Sequence, residues 1–220
     1  MAKRSRKTTA DSIKRIFLLS PANCGGVRAQ MVLSPAAQFA LARQLRTAEG
    51  AALGDVFSFV SGLYFRGKLT YARRFADLGD HPAATELGGG VLVITPGAGL
   101  RSADTHVNAE ALRLFAQIAI DLGNPAYRKP LAASARRVAR AIGRDGEVVL
   151  LGSIASPKYV DVLLDVFGTR LLFPTAFVGR GDMSRGGLLL RHAAAGVELD
   201  YQAVEGAVRH GERPPKLGKL

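Results

Sequence analysis

The sequence predicts an α/β domain of three layers, α/β/α, built on a mainly parallel central sheet. Two observations carry that expectation. From Lys14 onward, short apolar runs alternate with amphipathic stretches, and no repeat or low-complexity segment interrupts them. The runs are also almost wholly apolar, as strands covered on both faces tend to be.

Taken in order, residues 16–19 (Ile-Phe-Leu-Leu) predict the first buried strand. Ser34-Pro35 pairs a cap with a first-turn proline and predicts a helix over 36–48. Residues 55–76 are helical in composition, with Gly62 and Gly67 marking a break near Tyr64. Residues 81–90, with Pro82 and three successive glycines, predict a loop before a second strand at 91–94. Asn108 caps a helix through Phe115, and residues 130–142 form another that ends at Gly143. A third strand at 148–151 leads through Ser156-Pro157 into a helix that stops at Gly168. A fourth strand at 171–173 is followed by a helix over 183–195 under an Asp182 cap.

The chain has 220 residues, 48% hydrophobic and 22% charged, which suits a single domain over 14–205 between a basic arm, 1–13, and a basic tail, 206–220. The lone cysteine, Cys24, forms no internal disulfide, so the sequence predicts a soluble, cytoplasmic protein. Lys3, Arg4, Arg6 and Lys7 resemble the start of a signal peptide, but the four-residue apolar run that follows is too short for one, or for a membrane span.

The net charge is +12, of which residues 1–15 hold +5 and residues 209–220 hold +3. Basic arms of this kind fit phosphate backbones, where each neutralised phosphate releases counterions. The alternative is that they serve solubility alone. Neither arm has the apolar face of a membrane-surface helix. The partner expected is DNA, with RNA as the other possibility, and no obligate protein partner is indicated.

Ligands of open α/β sheets gather at the carboxyl ends of the strands. There the sequence places Ser20, Asn23, Gly25-Gly26 and Arg28 after the first strand, and Thr95 to Gly99 with Arg101 and Asp104 after the second. Ser153 follows the third, and Arg180, Asp182, Ser184 and Arg185 follow the fourth among four glycines. The last group brings two guanidiniums to a helix start, an arrangement for binding phosphate; an internally paired surface loop is the other reading. Tyr64, Arg66 and Lys68 join an aromatic face to two cations, which suits a nucleic-acid strand, unless Tyr64 belongs to the core. Cys24 has no histidine near it in sequence and reads as a small buried hydrophobe. No metal-binding spacing and no Gly-Lys-Ser/Thr phosphate loop occurs, so neither metal nor cofactor is expected.

Leu150-Leu151-Gly152-Ser153-Ile154-Ala155, then Leu171-Leu172-Phe173-Pro174-Thr175, then a Gly/Ser loop and Leu188-Leu189-Leu190-Arg191, resemble the C-terminal half of the uracil-DNA-glycosylase superfamily over residues 147–191. Ser20-Pro21-Ala22 and Ser61-Gly62-Leu63-Tyr64 are similar to segments of the YaaA peroxide-stress proteins. The first resemblance implies a uracil-DNA-glycosylase-like fold and a DNA N-glycosylase that flips out and excises a modified or damaged base. The histidine usual after the Pro-Thr strand is replaced here by Arg180-Gly181-Asp182-Met183-Ser184, which implies a base other than uracil. Asn23, Asp104 and Asp182 are the catalytic candidates. Ser20, Arg28, Tyr64, Arg66, Lys68, Ser153, Arg180, Ser184 and Arg185 are the nucleic-acid-binding ones. The second resemblance implies a non-catalytic DNA-binding stress or repair protein, and the charge alone fits an RNA-associated module equally.

Overall fold

A computed structural model describes residues 14–215 and Gly218; the arm at 1–13 lies outside the described residues. The chain runs through β1 (Arg15–Leu19), α1 (Val27–Leu33), α2 (Ala40–Leu45), β2 (Ala51–Ala52), α3 (Leu53–Ser61) and α4 (Leu63–Phe75). It continues through α5 (Pro82–Leu87), β3 (Val91–Thr95), β4 (Gly99–Ser102), β5 (His106–Val107), α6 (Ala109–Gln117) and α7 (Pro125–Ala141). It ends with β6 (Glu147–Leu151), α8 (Pro157–Phe167), β7 (Leu171–Pro174), α9 (Asp182–Ala195) and β8 (Tyr201–Ala203).

The main sheet has the order β4-β3-β1-β6-β7-β8. Its four inner strands are parallel, in register Leu18 to Leu92 on one side of β1 and Leu18 to Leu150 on the other. The outer strands β4 and β8 are antiparallel to their neighbours. Alternate side chains split the interior into two cores, because successive residues of a strand point to opposite faces. Phe17, Leu19, Val93, Val149 and Leu151 pack with α1, α3, α4 and α9. Ile16, Leu18, Ile94, Val148 and Leu150 pack with α5, α7 and α8. Both faces are therefore covered, and the three-layer α/β/α arrangement and mainly parallel sheet hold.

Several local expectations are corrected. Ser34 ends α1 rather than starting a helix, since a residue before proline is driven to extended backbone, and only Ala40–Leu45 of the 36–48 stretch is helical. Residues 81–90 contain α5, with Pro82 at its start, the His81 ring accepting from the Ala83 amide, and Gly88 in the left-handed cap position. Helix α7 begins at Pro125 under the Asn124 cap and carries Pro130 inside it. The carbonyl that Pro130 leaves without its helical donor belongs to Ala126, which is exposed to water. Gly181, not Asp182, is the cap residue of α9, and Asp182 sits in the first turn.

The helical stretch after Asp55 divides at Gly62, whose backbone (φ +71°, ψ −139°) serves as the end of α3 and the start of α4. Gly67 has a different use. It meets Gly186 of α9 backbone to backbone: a Cβ on Gly67 would lie 2.6 Å from the Gly186 carbonyl oxygen.

Asn108 caps α6, its Oδ1 accepting from the Ala111 amide at 3.0 Å. Asn108→Ala is expected to cost about 1 kcal/mol in urea unfolding.

The described part of the basic tail is bound to the domain. Arg209 pairs with Asp161 at 3.6 Å, Glu212 runs against Gly179, and the Pro215 carbonyl accepts from Arg180. Arg15 is similarly committed, to Glu147 and Glu198, each at 2.7 Å.

Candidate functional site at the carboxyl end of the sheet

From β1 the chain crosses to β3 on one side and returns to β6 on the other, so the topological switch point lies between β1 and β6. Crevices at such points are where open α/β sheets bind ligands. Here the two strand ends are Ser20 and Gly152, joined by the Ser20 amide donating to the Leu151 carbonyl at 3.1 Å. Gly152 must lack a side chain, since a Cβ would lie 2.8 Å from the Ser20 Cβ and 2.9 Å from the Tyr159 hydroxyl.

Lys68 reaches this point from α4 and is 1% exposed. Its Nζ donates to the Ser20 carbonyl at 2.7 Å and to Ser20 Oγ at 2.8 Å. The ring centres of Tyr64 and Phe65 each lie 4.6 Å from it. Burial pushes the amine down to about 7, with Asp182 pulling in the opposite direction. The Tyr159 hydroxyl donates to the Ser153 carbonyl at 2.9 Å, and burial pushes it up to about 12. The Tyr64 hydroxyl is buried without a hydrogen-bond partner among the described residues, and burial raises its pKa strongly.

A cavity of about 450 Å³ opens beside this cluster. The loop after β1 contributes Pro21, Asn23 and Cys24, and Pro96 follows β3. Phe115 and Ile118 come from α6 and its end, and Lys158 from the first turn of α8. Asn23 is exposed, and its Oδ1 accepts from the Gly25 amide at 3.1 Å, which fixes the carboxamide and leaves its NH₂ group for another partner. Cys24 is buried, donates to the Ala22 carbonyl, and is pushed by burial up to about 12, which makes it a poor nucleophile.

No family model, curated protein or solved structure matches this chain.

The structure gathers Ser20, Asn23, Tyr64, Lys68, Ser153, Arg180, Asp182, Ser184 and Arg185 at one end of the sheet, but gives several of them other work. Arg185 is 9% exposed; its Nε and Nη2 donate to the Phe177 carbonyl at 3.2 and 3.0 Å, and Nη1 faces Asp182 at 3.5 Å. Arg180 donates to the Ala176 carbonyl at 3.0 Å and to Ser184 Oγ at 3.2 Å. Both guanidiniums thus tie the 175–181 turn to α9 instead of presenting themselves to phosphate, because a half-buried or buried guanidinium needs acceptors and the turn's carbonyls are nearest. Tyr64 and Lys68 are buried, so they are no open stacking platform; Arg66 alone of that trio faces solvent. Arg28 lies exposed on α1, with Nη1 donating to the Phe59 carbonyl at 3.4 Å. Asp104 is removed from the site: β4 returns antiparallel to β3 and carries the chain to the opposite end of the sheet, where Asp104 pairs with Arg73 at 2.6 Å.

Residues not foreseen as part of the site are Phe115, Ile118, Lys158 and Tyr159. Among the described residues, no group of three or more His, Cys, Asp or Glu could hold a metal ion, and no helix is long and apolar enough to cross a membrane.

Proposed function

We propose that this protein is a DNA N-glycosylase that draws a modified or damaged base out of the helix into the cavity beside Asn23. The observation that carries the reading is the lining of that cavity. An aromatic and aliphatic wall from Pro96, Phe115 and Ile118 shares it with one oriented carboxamide and one ammonium. Extruded bases are held by stacking on apolar side chains and by hydrogen bonds to their edges, at an unstacking cost of a few kcal/mol. The Asn23 NH₂ suits an acceptor on the base edge, and Lys158 suits a flanking phosphate. Breaking the bond from C1′ to the base leaves positive charge on the sugar, which Asp182, exposed in the first turn of α9, would offset as water adds.

The net charge of +12 supports a polyanionic partner. The covered, mainly parallel sheet agrees with the uracil-DNA-glycosylase-like fold that the resemblance over 147–191 implies, and a single cysteine suits the cytoplasm. The test is to incubate the protein with single- and double-stranded oligonucleotides carrying a panel of modified bases, and to measure free base and alkali-labile sites. Base release is expected from at least one substrate, and Asn23→Ala should slow it roughly a hundredfold with little change in DNA affinity. Tight binding without release across the panel would leave a non-catalytic DNA-binding protein instead.

A further inference from the structure

We propose that Ser20 and Lys68 form a serine–lysine pair, nucleophile and base, that transfers an acyl group from an ester or amide. The inference does not depend on the base-excision reading, which uses the cavity and not this hydroxyl.

The argument begins with what holds the lysine. Its two hydrogen-bond acceptors both belong to Ser20, the carbonyl at 2.7 Å and Oγ at 2.8 Å, and ring faces of Tyr64 and Phe65 enclose it at 4.6 Å. The strand-end carbonyl and the rings fix the amine so that its remaining polar contact is the Ser20 hydroxyl. A lysine that only filled space would carry its ammonium to water, as long charged side chains do; Lys68 is 1% exposed. The charge that acts on the amine is Asp182 from α9, and the Tyr64 ring lies over it from its own helix; Arg185 from α9 and Tyr159 from α8 act on Tyr64, and the Tyr159 hydroxyl also meets the Ser20 hydroxyl. Arg185 already holds the Phe177 carbonyl and faces Asp182, which leaves desolvation as the dominant influence on the amine. A neutral amine near pH 7 accepts a proton, and a serine needs such a base to act as a nucleophile. The position also fits, because Ser20 directly follows the central strand at the switch point, buried but for 7% of its surface.

In the step proposed, the Ser20 proton passes to the Lys68 lone pair as the Oγ electron pair bonds to the acyl carbon and the carbonyl pair moves onto its oxygen. Collapse of that adduct expels the alcohol or amine, which takes the proton back from the Lys68 ammonium. Water then adds to the acyl carbon as Lys68 takes its proton; collapse of that adduct breaks the bond to Ser20 Oγ, which takes the proton back from the Lys68 ammonium as the acid leaves.

The experiment treats the full chain with a biotinylated alkyl phosphonofluoridate, in which serine Oγ displaces fluoride, and maps the label by mass on the tryptic peptide spanning residues 16–28. Ser20 is expected to be labelled at a rate that climbs through pH 7 and levels off above it. Ser20→Ala should remove the label. Lys68→Met and Lys68→Arg, checked for folding by circular dichroism, should slow it about a hundredfold, since neither accepts a proton at that pH. An unlabelled Ser20 in folded protein at pH 8–9 overturns the pair, as does a rate that Lys68→Met leaves unchanged. Where the variants fail to fold, the wild-type pH profile decides: a plateau above 7 supports the pair, and a rate that keeps rising with hydroxide refutes it.

Discussion

Replacing Gly186 with valine is expected to lower the unfolding free energy by roughly 3 kcal/mol or more, a large share of what an ordinary domain possesses. Glycine is a poor helix former, so in an isolated helix the same change would be mildly stabilising. The sign reverses because of what Gly186 touches. A Cβ there would lie 2.9 Å from the Tyr64 Cα and 3.0 Å from the Leu63 carbonyl oxygen, both backbone atoms that no rotamer change can move. The clash is reciprocal, since Gly67 meets the Gly186 carbonyl oxygen from the other side. Helices α4 and α9 would have to separate, and they carry Lys68 and Arg185. Urea unfolding measures the loss directly. A Gly186→Val protein as stable as the parent would mean that the two helices do not cross at these glycines.

That crossing shows where sequence reading reaches its end. The four inner strands were legible because strands buried on both faces are almost wholly apolar, as at residues 91–94 and 148–151. The outer strands were not. Tyr201–Ala203 has no fully buried residue, and Gly99–Ser102 is buried only over its first half, so neither shows a run of apolar residues. The strand-end loops were located correctly, but the direction of their charges was not. Lys68 lies four residues after Tyr64 and three and four before Tyr71 and Ala72, all buried, so the helical period placed it on the inner stripe of α4. Arg185 stands in the same relation to Leu188 and Leu189 on α9. Charge suggested exposure where periodicity indicated burial, and periodicity prevailed. Asp104 failed for a topological reason: Gly97 and Gly99, at φ +83° and +69°, turn the chain back along β3 before it reaches Asp104. The pairing of Gly67 with Gly186 joins residues far apart in sequence and has no local signature.

Burial of Lys68 also predicts how stability responds to pH. The amine titrates at about 7 in the folded protein against an ordinary 10.5 in the unfolded chain. Below pH 7 both states carry the proton, and the cost of the buried ammonium is fully present. Between the two values the unfolded chain keeps a proton that the folded protein has lost, so the unfolding free energy rises with pH, by up to about 1.4 kcal/mol per unit. Cys24 acts oppositely but later: its thiol is pushed from an ordinary 9.0 to about 12, so it takes stability away as pH rises above 9. The buried tyrosines, also raised, do the same above 10. The clean window is therefore pH 7 to 9, where the wild-type protein should gain about 2 kcal/mol in urea unfolding. Lys68→Met should flatten the curve over that window. Its absolute stability is a poorer guide, because the substitution removes an ammonium from the interior while leaving the Ser20 carbonyl and hydroxyl without their donor. Parallel curves for the two proteins would place the proton of Lys68 outside this range and remove the amine as a base at neutral pH.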